Sequence, residues 1–384
     1  MEKVFLTDIC DIQYGYAFDS KLFSDTKGRP VIRIRDIVRG YSETYTTEEC
    51  PGDYIIHNDD ILIGMDGEFN IALWKGGEAV LNQRVCKLIP HNEICKNYIF
   101  YYMPIALKVI EDKTPFVTVK HLSAKELNKI ELPLPTYEMQ NKIANSLFNL
   151  DELIEKRKKQ LSKLDELVKA RFVELFGDPV DNPMNWPVKR LRELSVQINS
   201  GNTPKGGSKV YVNKGIIFFR SQNVWKDRLE MEDIAYIDEK THLSMKRSSL
   251  KHGDILMTKT GRINTENSSL GRAALYLGED DAANVNGHVY FIRLKPEVNN
   301  HFVLRILVSK EYRDLIRSVC VGGIDKRQLN KEHIEDFPII CPPTDMIEDY
   351  IAFVKHTDKS KLEVQKSLEK LELLKKALMQ KYFG

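Results

Sequence analysis

The chain has 384 residues, which is too long for one ordinary hydrophobic core and predicts two or three domains. Hydrophobic residues make up 42% of it and charged residues 29%, a composition that excludes disordered and collagen-like chains. The formal net charge is only +2, so any surface for nucleic acid must come from local clusters of Lys and Arg.

Targeting segments and cysteines narrow the class of protein further. The N-terminal sequence MEKVFLTDIC carries no apolar leader, and no stretch approaches the ~18 apolar residues that a membrane span needs. We therefore expect a cytoplasmic protein that does not contact a membrane. Six cysteines are scattered without a CxxC pair or a nearby Cys/His quartet, so we expect neither a metal site nor a disulfide framework.

The chain repeats its landmarks once, in the same order and with a period of about 207 residues. Each half begins with an amphipathic turn before a Gly and continues with a short apolar strand that ends on Arg. The tripeptide Asp-Ile-Leu then precedes a Gly, and a β-like run follows an Asn. The matching positions are Leu6, Ile9 and Gly15 with Leu191, Leu194 and Gly201; PVIRIRDI, with its Arg35, and GIIFFRSQNV, with its Arg220; Asp60 with Asp254; Gly67 with Gly261; and Asn82 with Asn286.

A Pro-rich connector and a long helix close each half. Pro135 aligns with Pro343, and residues 150–177 are identical to residues 357–384 at ten of 28 positions. Residues 150–176 contain no Gly or Pro and carry apolar residues at heptad spacing, which predicts a coiled-coil helix about 40 Å long. The residues expected in the helix–helix contact are Leu150, Ile154, Leu161, Leu164, Val168 and Leu175 in the first copy, and Val364, Leu368, Leu371, Leu374 and Leu378 in the second. Two independent solvent-facing helices are the alternative, but an apolar stripe needs a partner and the chain supplies one.

These patterns predict an α+β fold with two tandem α/β domains separated by two long helices. Approximate two-fold symmetry between the halves would make the helices pack as an antiparallel coiled coil. The predicted segments are a first domain at 1–135, a connector and helix at 136–177, a second domain at 178–341, and a second connector and helix at 342–384.

The order of these motifs resembles the specificity subunit of type I restriction-modification systems over essentially the whole chain. The resemblance rests on the D-I-L strands, the P-L-P and C-P-P connectors and the junction FGDPVDNPMNWP. It implies two target-recognition domains, each reading one half of a bipartite double-stranded DNA sequence. It further implies that the helices set the spacing between half-sites and bind two adenine methyltransferase (M) subunits.

The resemblance also implies a non-catalytic role in DNA methylation. S-adenosylmethionine and ATP would be bound by partner subunits and no cofactor by this chain, with restriction (R) subunits as further partners in systems that cut DNA. Members of the family often carry Gln shortly after the connector. Gln140 fits that pattern, whereas the second copy has Ile347-Glu348-Asp349, so equivalent partner contacts are not implied for both connectors.

The sequence lacks the motifs of the corresponding catalytic subunits. It has no Asn/Asp-Pro-Pro-Tyr/Phe loop for a flipped adenine and no G-x-x-x-x-G-K-[ST] loop for a nucleotide. The nearest string to the former, Asn182-Pro183-Met184-Asn185, is interpreted as a linker turn. Asp66-Gly67-Glu68 follows a strand, as a metal ligand often does, but its counterpart is Thr260-Gly261-Arg262. A shared turn with different side chains suits readers of different sequences better than a duplicated metal site.

Candidate DNA-binding residues in the first half are basic or amide side chains near strand ends. Base edges are read by Arg, Lys, Asn, Gln, Ser and Thr, and phosphates are bound by Lys and Arg. Arg33 and Arg35 alternate with Ile32 and Ile34, so both side chains would leave one face of a strand. The first-half candidates are Arg33, Arg35, Gln83, Arg84, Lys120 and His121. An ordinary surface strand accounts for the two arginines nearly as well.

The second half contains the clearest basic patch, residues 244–262, with five basic residues and one acid. Its candidates are Lys246, Arg247 and Lys251 for phosphates, and Lys259, Thr260 and Arg262 for bases. Further candidates are Arg220, Ser221, Gln222 and Asn223 after a strand, Asn286 and His288, and Lys326, Arg327 and Gln328 in a Gly-containing loop. A solvated loop is the alternative for each residue. For the whole protein, the alternative is a non-enzymatic structural adaptor that uses its helices for assembly.

Overall fold

The computed structural model describes residues 3–113, 120–263, 265, 267–323 and 326–384. Contacts divide the chain into two compact units: unit 1 consists of Met1–Leu161 with Glu363–Gly384, and unit 2 of Ser162–Leu362. Each unit contains one globular head and one segment of each long helix. Head 1 denotes residues up to 136, and head 2 denotes residues 177–343. The domain boundaries drawn from the sequence stay a prediction, because the units divide within the helices.

Unit 1 combines short strands with helices of very different lengths. The strands are β1 Lys3–Phe5, β2 Cys10–Tyr14, β3 Phe23–Ser24, β4 Arg29–Ile32, β5 Tyr45–Thr46, β6 Ile55–Ile56, β7 Ile61–Gly64, β8 Ile71–Leu73, β9 Ala79–Leu81, β10 Val85–Pro90 and β11 Glu131–Pro133. The helices are α1 Leu6–Ile9, α2 Ile34–Arg39, α3 Lys96–Lys113, α4 Ala124–Leu127 and α5 Tyr137–Phe176, whose last part belongs to unit 2. The sheets have the strand orders β1-β11, β2-β10-β7-β8 and β3-β5-β4-β9-β6.

Unit 2 is built in the same way. Its strands are β12 Val188–Arg190, β13 Ser195–Ser200, β14 Tyr211–Val212, β15 Ile216–Phe219, β16 Ala235–Ile237, β17 Ile255–Thr258, β18 Thr260–Gly261, β19 Ala273–Leu275, β20 Ala283–Val285, β21 Val289–Leu294, β22 Val321–Gly322, β23 Arg327–Gln328 and β24 Pro338–Ile340. Its helices are α6 Leu191–Leu194, α7 Glu239–Ser244, α8 Asn300–Val308, α9 Lys310–Val319, α10 Lys331–Glu335 and α11 Thr344–Phe383, whose last part belongs to unit 1. The sheets have the orders β12-β24, β13-β21-β17-β19, β14-β16-β15-β20 and β18-β23-β22.

The two heads repeat the same sheet topology in the same chain order. The antiparallel sheet β2-β10-β7-β8 of head 1 corresponds to β13-β21-β17-β19 of head 2. The parallel pair β4–β9 corresponds to the parallel pair β15–β20. The predicted duplication and the α+β class are therefore confirmed by the fold. The β-like runs after Asn82 and Asn286 are indeed strands β10 and β21.

The D-I-L tripeptides begin central strands that are buried along their whole length. All residues of β7 and of β17 are buried. Each strand lies between two neighbours, so a continuous apolar run is what the position requires. The preceding aspartates, Asp60 and Asp254, accept hydrogen bonds from the backbone N–H groups of His57 (2.9 Å) and Lys251 (2.8 Å), respectively. Each aspartate therefore closes the turn that leads into its strand.

Both long helices have 40 residues and extend farther towards their N-termini than the segments from which they were predicted. In unit 1, the two helix segments run antiparallel: Asp151 pairs with Lys375, while Leu147 shares one apolar cluster with Phe383. In unit 2 they also run antiparallel. There Asp165 pairs with Lys361, and the ring of Phe176 lies 5.5 Å from that of Tyr350.

Of the residues predicted in the helix–helix contact, Leu374 is 47% exposed, so its predicted burial is wrong. Leu150, Ile154, Val168, Val364 and Leu368 are buried, and the remaining stripe residues are half-buried. The seam also contains charged residues, since Lys361 and Lys375 pair with aspartates of α5 in their respective units. An apolar pattern alone does not reveal such positions.

The junction and the first connector are fixed by internal hydrogen bonds. Gly177 adopts a positive φ of 74° at the end of α5, and Asn182 exchanges two hydrogen bonds with the backbone of Trp186 (2.8 and 2.9 Å). The linker turn is thus confirmed. Gln140 is buried, where it accepts from the Cys95 N–H (2.9 Å) and donates to the Pro135 carbonyl (3.0 Å). This side chain stabilises unit 1 internally.

Candidate nucleic-acid interface

Three chain segments meet at the end of the buried D-I-L strand of head 1. The N–H of Met65, just after β7, donates to the Arg84 carbonyl (3.0 Å) in the β9–β10 turn. The N–H of Leu122 donates to the Met65 carbonyl (2.7 Å), and that of Gly67 to the Lys120 carbonyl (2.8 Å). We call these segments, residues 65–68, 82–84 and 120–122, the loop frame of head 1. Backbone bonds fix its geometry independently of its side chains.

Head 2 has the same loop frame in residues 259–262, 286–288 and 327–329. The N–H of Lys259 donates to the His288 carbonyl (2.9 Å), and that of Leu329 to the Lys259 carbonyl (2.9 Å). Thr260 is in register with Gln328 on the neighbouring strand. The frames therefore correspond position by position, although their side chains differ.

A depression of about 550 Å³ adjoins the loop frame of head 1 and brings four predicted residues together: Arg33, Arg35, Gln83 and Arg84. All four side chains are exposed. The prediction that Arg33 and Arg35 leave one face of a strand is wrong. Strand β4 ends at Ile32, because the buried carboxylate of Asp36 accepts the Arg33 N–H (2.9 Å) and starts α2 there.

Asp66 connects the basic residues of this frame. One carboxylate oxygen, Oδ1, lies 2.6 Å from Nδ1 of His121, and the other, Oδ2, lies 3.4 Å from Nε of Arg84. Lys120, by contrast, is bound within head 1: its ammonium donates to the Glu111 carbonyl (2.7 Å) and pairs with the Glu111 carboxylate (3.5 Å). Sequence reasoning missed Asp66 as part of this surface, since its partners lie far from it in the chain.

In head 2, a depression of about 340 Å³ brings Thr260, Arg262 and Lys326 together with Asn267, Ser268 and Ser269. Arg262, His288, Lys326 and Gln328 are exposed, whereas Lys259 and Arg327 are half-buried. Lys259 Nζ lies over the ring of Tyr290, 5.6 Å from its centroid, and Arg327 Nη1 donates to the Cys320 carbonyl (3.4 Å).

A buried arginine that the sequence analysis missed supports this depression. The guanidinium of Arg272 lies 3.8 Å from the ring centroid of Trp225 and donates to the carbonyls of Ser268 (3.0 Å) and Asn267. The loop after β18 is thereby attached to the body of head 2. No local sequence signal marks Arg272, because the Trp225 ring that it covers comes from a distant segment.

The basic patch predicted at residues 244–262 is divided by strand β17. Lys251 lies before the strand, where it pairs with Asp281 (2.5 Å) and Asp280 (3.5 Å). The hydrogen bond from Lys251 is the main cause that lowers the pKa of the Asp281 carboxyl, which favours its charged form. Lys246 and Arg247 are exposed, and Arg247 donates to Asn202 (3.1 Å). The basic residues of this segment therefore lie on either side of β17, and Lys251 is paired with two aspartates of head 2.

Most polar side chains after β15 form hydrogen bonds within head 2. Asn223 is 1% exposed, accepts the Arg220 N–H (2.9 Å) and donates to the carbonyls of Glu230 and Asp233. The side chains of Gln222 and Arg220 both bind Asp233, and these hydrogen bonds lower the pKa of its carboxyl. Ser221 is half-exposed. Asn286 accepts the His288 N–H (3.0 Å) and shapes the turn. Asn223 is therefore not available to contact a base.

Neither a metal centre nor a membrane span is found in the part of the chain that the structure describes. Among those residues, no three or more His, Cys, Asp or Glu side chains are grouped so that they could bind a metal ion. No described helix has the length and apolar character needed to cross a membrane.

Comparisons with known proteins find a matching family model and similar curated proteins. Residues 1–165 match the model of the type I restriction modification DNA specificity domain. The EcoBI specificity subunit of the type I restriction enzyme from Escherichia coli is 24% identical, over 99% of this chain and 85% of its own. The MjaVIII specificity subunit from Methanocaldococcus jannaschii is 22% identical, over 91% and 87%.

Solved structures show a similar fold. The S subunit of a type I restriction-modification system from M. genitalium superposes with a TM-score of 0.60 at 15% identity and covers 100% of this chain and 96% of its own. A chain from a structure of complex assembly and conformational transition in the type I R-M system gives a TM-score of 0.57 at 16% identity, over 99% and 97%.

Proposed function

Because the chain belongs to the family of type I restriction-modification specificity subunits, we propose that it selects the DNA sequence on which its partner subunits act. Each head reads one half of a bipartite double-stranded target. The long helices set the gap between the half-sites and bind two methyltransferase subunits. Recognition is the contribution of this chain, while S-adenosylmethionine and ATP belong to partners, including restriction subunits in systems that cut DNA.

The observation that carries this proposal is the loop frame, which recurs in both heads with different side chains. Asp66, Arg84 and His121 of head 1 correspond to Thr260, His288 and Gln328 of head 2. A duplicated catalytic site would need the same chemical groups twice. Readers of two different half-sites need one scaffold with different hydrogen-bond donors and acceptors. We therefore propose an asymmetric target with two dissimilar half-sites.

Exposed basic side chains around each frame supply the attraction to DNA. Arg33, Arg35 and Arg84 border the depression of head 1, and Arg262 and Lys326 border that of head 2. Guanidinium groups bind phosphate oxygens or the O6 and N7 acceptors of guanine through paired hydrogen bonds. With a net charge of only +2, binding depends on these local groups, and the affinity of the assembled complex should fall steeply with salt.

The test is an exchange of head 2 in the complex with methyltransferase subunits. Residues 188–340 are replaced by the corresponding segment of a relative, and methylated sites are mapped by sequencing. We expect one half-site to change and the other to persist. Unchanged methylation would favour a structural adaptor, and methyl transfer by the isolated chain would contradict a purely recognising subunit.

A further inference from the structure

The pairing of His121 with Asp66 points to a specific role within the proposed DNA-reading function, on which the inference rests. We propose that Nε2 of His121 accepts a hydrogen bond from the exocyclic amine of a base in the first half-site, N6 of adenine or N4 of cytosine. Asp66 is the positioning residue that fixes the imidazole tautomer needed for this contact.

The first step concerns the proton on Nδ1. An ionised carboxylate can only accept hydrogen bonds, so the 2.6 Å contact between Asp66 Oδ1 and His121 Nδ1 requires Nδ1 to carry the proton. In a neutral imidazole, Nε2 then has a lone pair and acts as an acceptor. It lies on the opposite side of the ring from Asp66, and half of the His121 side chain is exposed. The acceptor is therefore accessible to a ligand.

The second step concerns charge. Arg84 Nε lies 3.4 Å from the other oxygen of Asp66, so the carboxylate already has a cationic partner. A neutral imidazole completes this cluster without an additional charge. Of the other charged groups around it, Lys120 is engaged with Glu111, and Glu68 is exposed on the same loop. The proposed contact uses the neutral ring, beside which the Asp66 carboxylate and the Arg84 guanidinium balance each other in charge.

The third step concerns rigidity. Asp66 and His121 face each other in an antiparallel bridge, which the Gly67–Lys120 and Leu122–Met65 backbone hydrogen bonds enclose on either side. A short side chain on such a fixed backbone loses little conformational freedom when it binds a ligand. The backbone that carries the ring is therefore already ordered before DNA binds, as direct contact with a base edge requires.

The base preference follows from the acceptor. In the major groove, only adenine N6 and cytosine N4 present donors, whereas guanine O6 and N7 and thymine O4 are acceptors that would repel Nε2. Phosphate oxygens are acceptors as well and suit the neighbouring arginines instead. Gln328 occupies the corresponding position in head 2 and carries both a donor and an acceptor, so the same preference does not arise there.

The tautomer can be measured directly by NMR on the full chain with 15N-labelled histidine. His121→Gln identifies the resonances. We expect Nδ1 of His121 to be protonated and Nε2 to be bare in the parent protein, and Asp66→Asn to abolish that pattern. Glu93→Gln is the matched control, since it removes an exposed carboxylate of head 1 that lies outside the loop frame and should leave the tautomer unchanged. A proton on Nε2 in the parent protein, or no effect of Asp66→Asn, would overturn the proposal.

The base preference is tested in the complex with methyltransferase subunits, using DNA randomised across the first half-site. We expect one position at which adenine or cytosine is preferred about tenfold, the worth of one hydrogen bond to a matched group. His121→Arg, which offers donors only, should shift that position to guanine or thymine. Asp66→Asn should weaken the preference, and the control Glu93→Gln should not.

The second half-site should stay the same in all these variants. An unchanged preference in His121→Arg, while methylation remains specific, would refute the role of His121 alone. Methylation without any defined sequence in the parent complex would instead refute the proposed DNA-reading function. The two failures are therefore distinguishable.

Discussion

Arg293 meets the buried carboxylate of Asp254 edge to edge, with Nε 2.9 Å from Oδ1 and Nη2 2.7 Å from Oδ2. Asp254 is the aspartate of the D-I-L tripeptide, and Arg293 lies on the neighbouring strand β21. The hydrogen bonds that Arg293 donates to Asp254 are the main cause that raises the pKa of Arg293. In head 1, Lys87 of β10 lies 2.8 Å from the equivalent Asp60. The tripeptide thus marks an internal ion pair in each head.

Breaking the Arg293–Asp254 pair should destabilise head 2. Arg293→Met leaves a carboxylate that is 1% exposed without its cation, at a cost of about 3 kcal/mol. Lys87→Met is the matched control in head 1, where the aspartate is 22% exposed and loss of its cation should cost only about 1 kcal/mol. Hydrogen exchange of the strands in each head measures both. Equal losses would mean that burial of the aspartate does not decide the cost.

Arg262 and Lys251 should differ in their effect on DNA binding. Arg262 is exposed beside the depression of head 2, so Arg262→Ala should lower the affinity for DNA about tenfold. The slope of log affinity against log salt concentration should become shallower by about the contribution of one phosphate contact. Lys251 is already paired with Asp280 and Asp281, and Lys251→Ala should change neither quantity appreciably. Fluorescence anisotropy of the methyltransferase complex at several salt concentrations tests this. A larger effect of Lys251→Ala would show that its aspartate pairs open on binding.

Leu368 and Leu374 provide a matched pair in the α11 segment of unit 1. Leu368 is buried, so Leu368→Ala should cost about 2 kcal/mol of stability through lost packing. Leu374 is exposed, and Leu374→Ala should stay within about 0.5 kcal/mol. Denaturant unfolding followed by circular dichroism compares the two variants. A comparable loss for Leu374→Ala would place that residue in a contact after all.

Lengthening both long helices should change the gap between half-sites. One heptad is inserted after Leu161 and one before Glu363, so that the apolar stripe and the antiparallel pairing are preserved. Seven residues rise about 10 Å, which corresponds to roughly three base pairs. Methylation mapping should therefore recover both half-site sequences with a gap wider by about that amount. An unchanged gap would contradict the role of the helices in spacing.

The duplication, the α+β class and the existence of the two long helices follow from the amino-acid sequence alone. These depend on local patterns, namely heptad spacing over 150–176, the apolar runs after Asp60 and Asp254, and the glycine and prolines of the junction. Such patterns depend on local backbone conformation and on which face of an element is buried. They therefore appear as periodic spacing of residue types in the sequence. Even here, Asp36 converted the expected strand at Arg33 into the start of a helix.

Which polar side chains are available to contact DNA depends on how the chain folds in three dimensions. The sequence marked three side chains equally as candidates for DNA contacts: Lys120, Gln222 and Lys251. In the folded chain each of them binds an acidic residue from another segment, namely Glu111, Asp233 and Asp281, respectively. Asp66 became part of the interface for the same reason, because folding brings it to His121 and Arg84. A hydrogen bond or ion pair between distant residues leaves no periodic signal in the chain. Its existence depends on the register of strands and loops, which the packed core fixes.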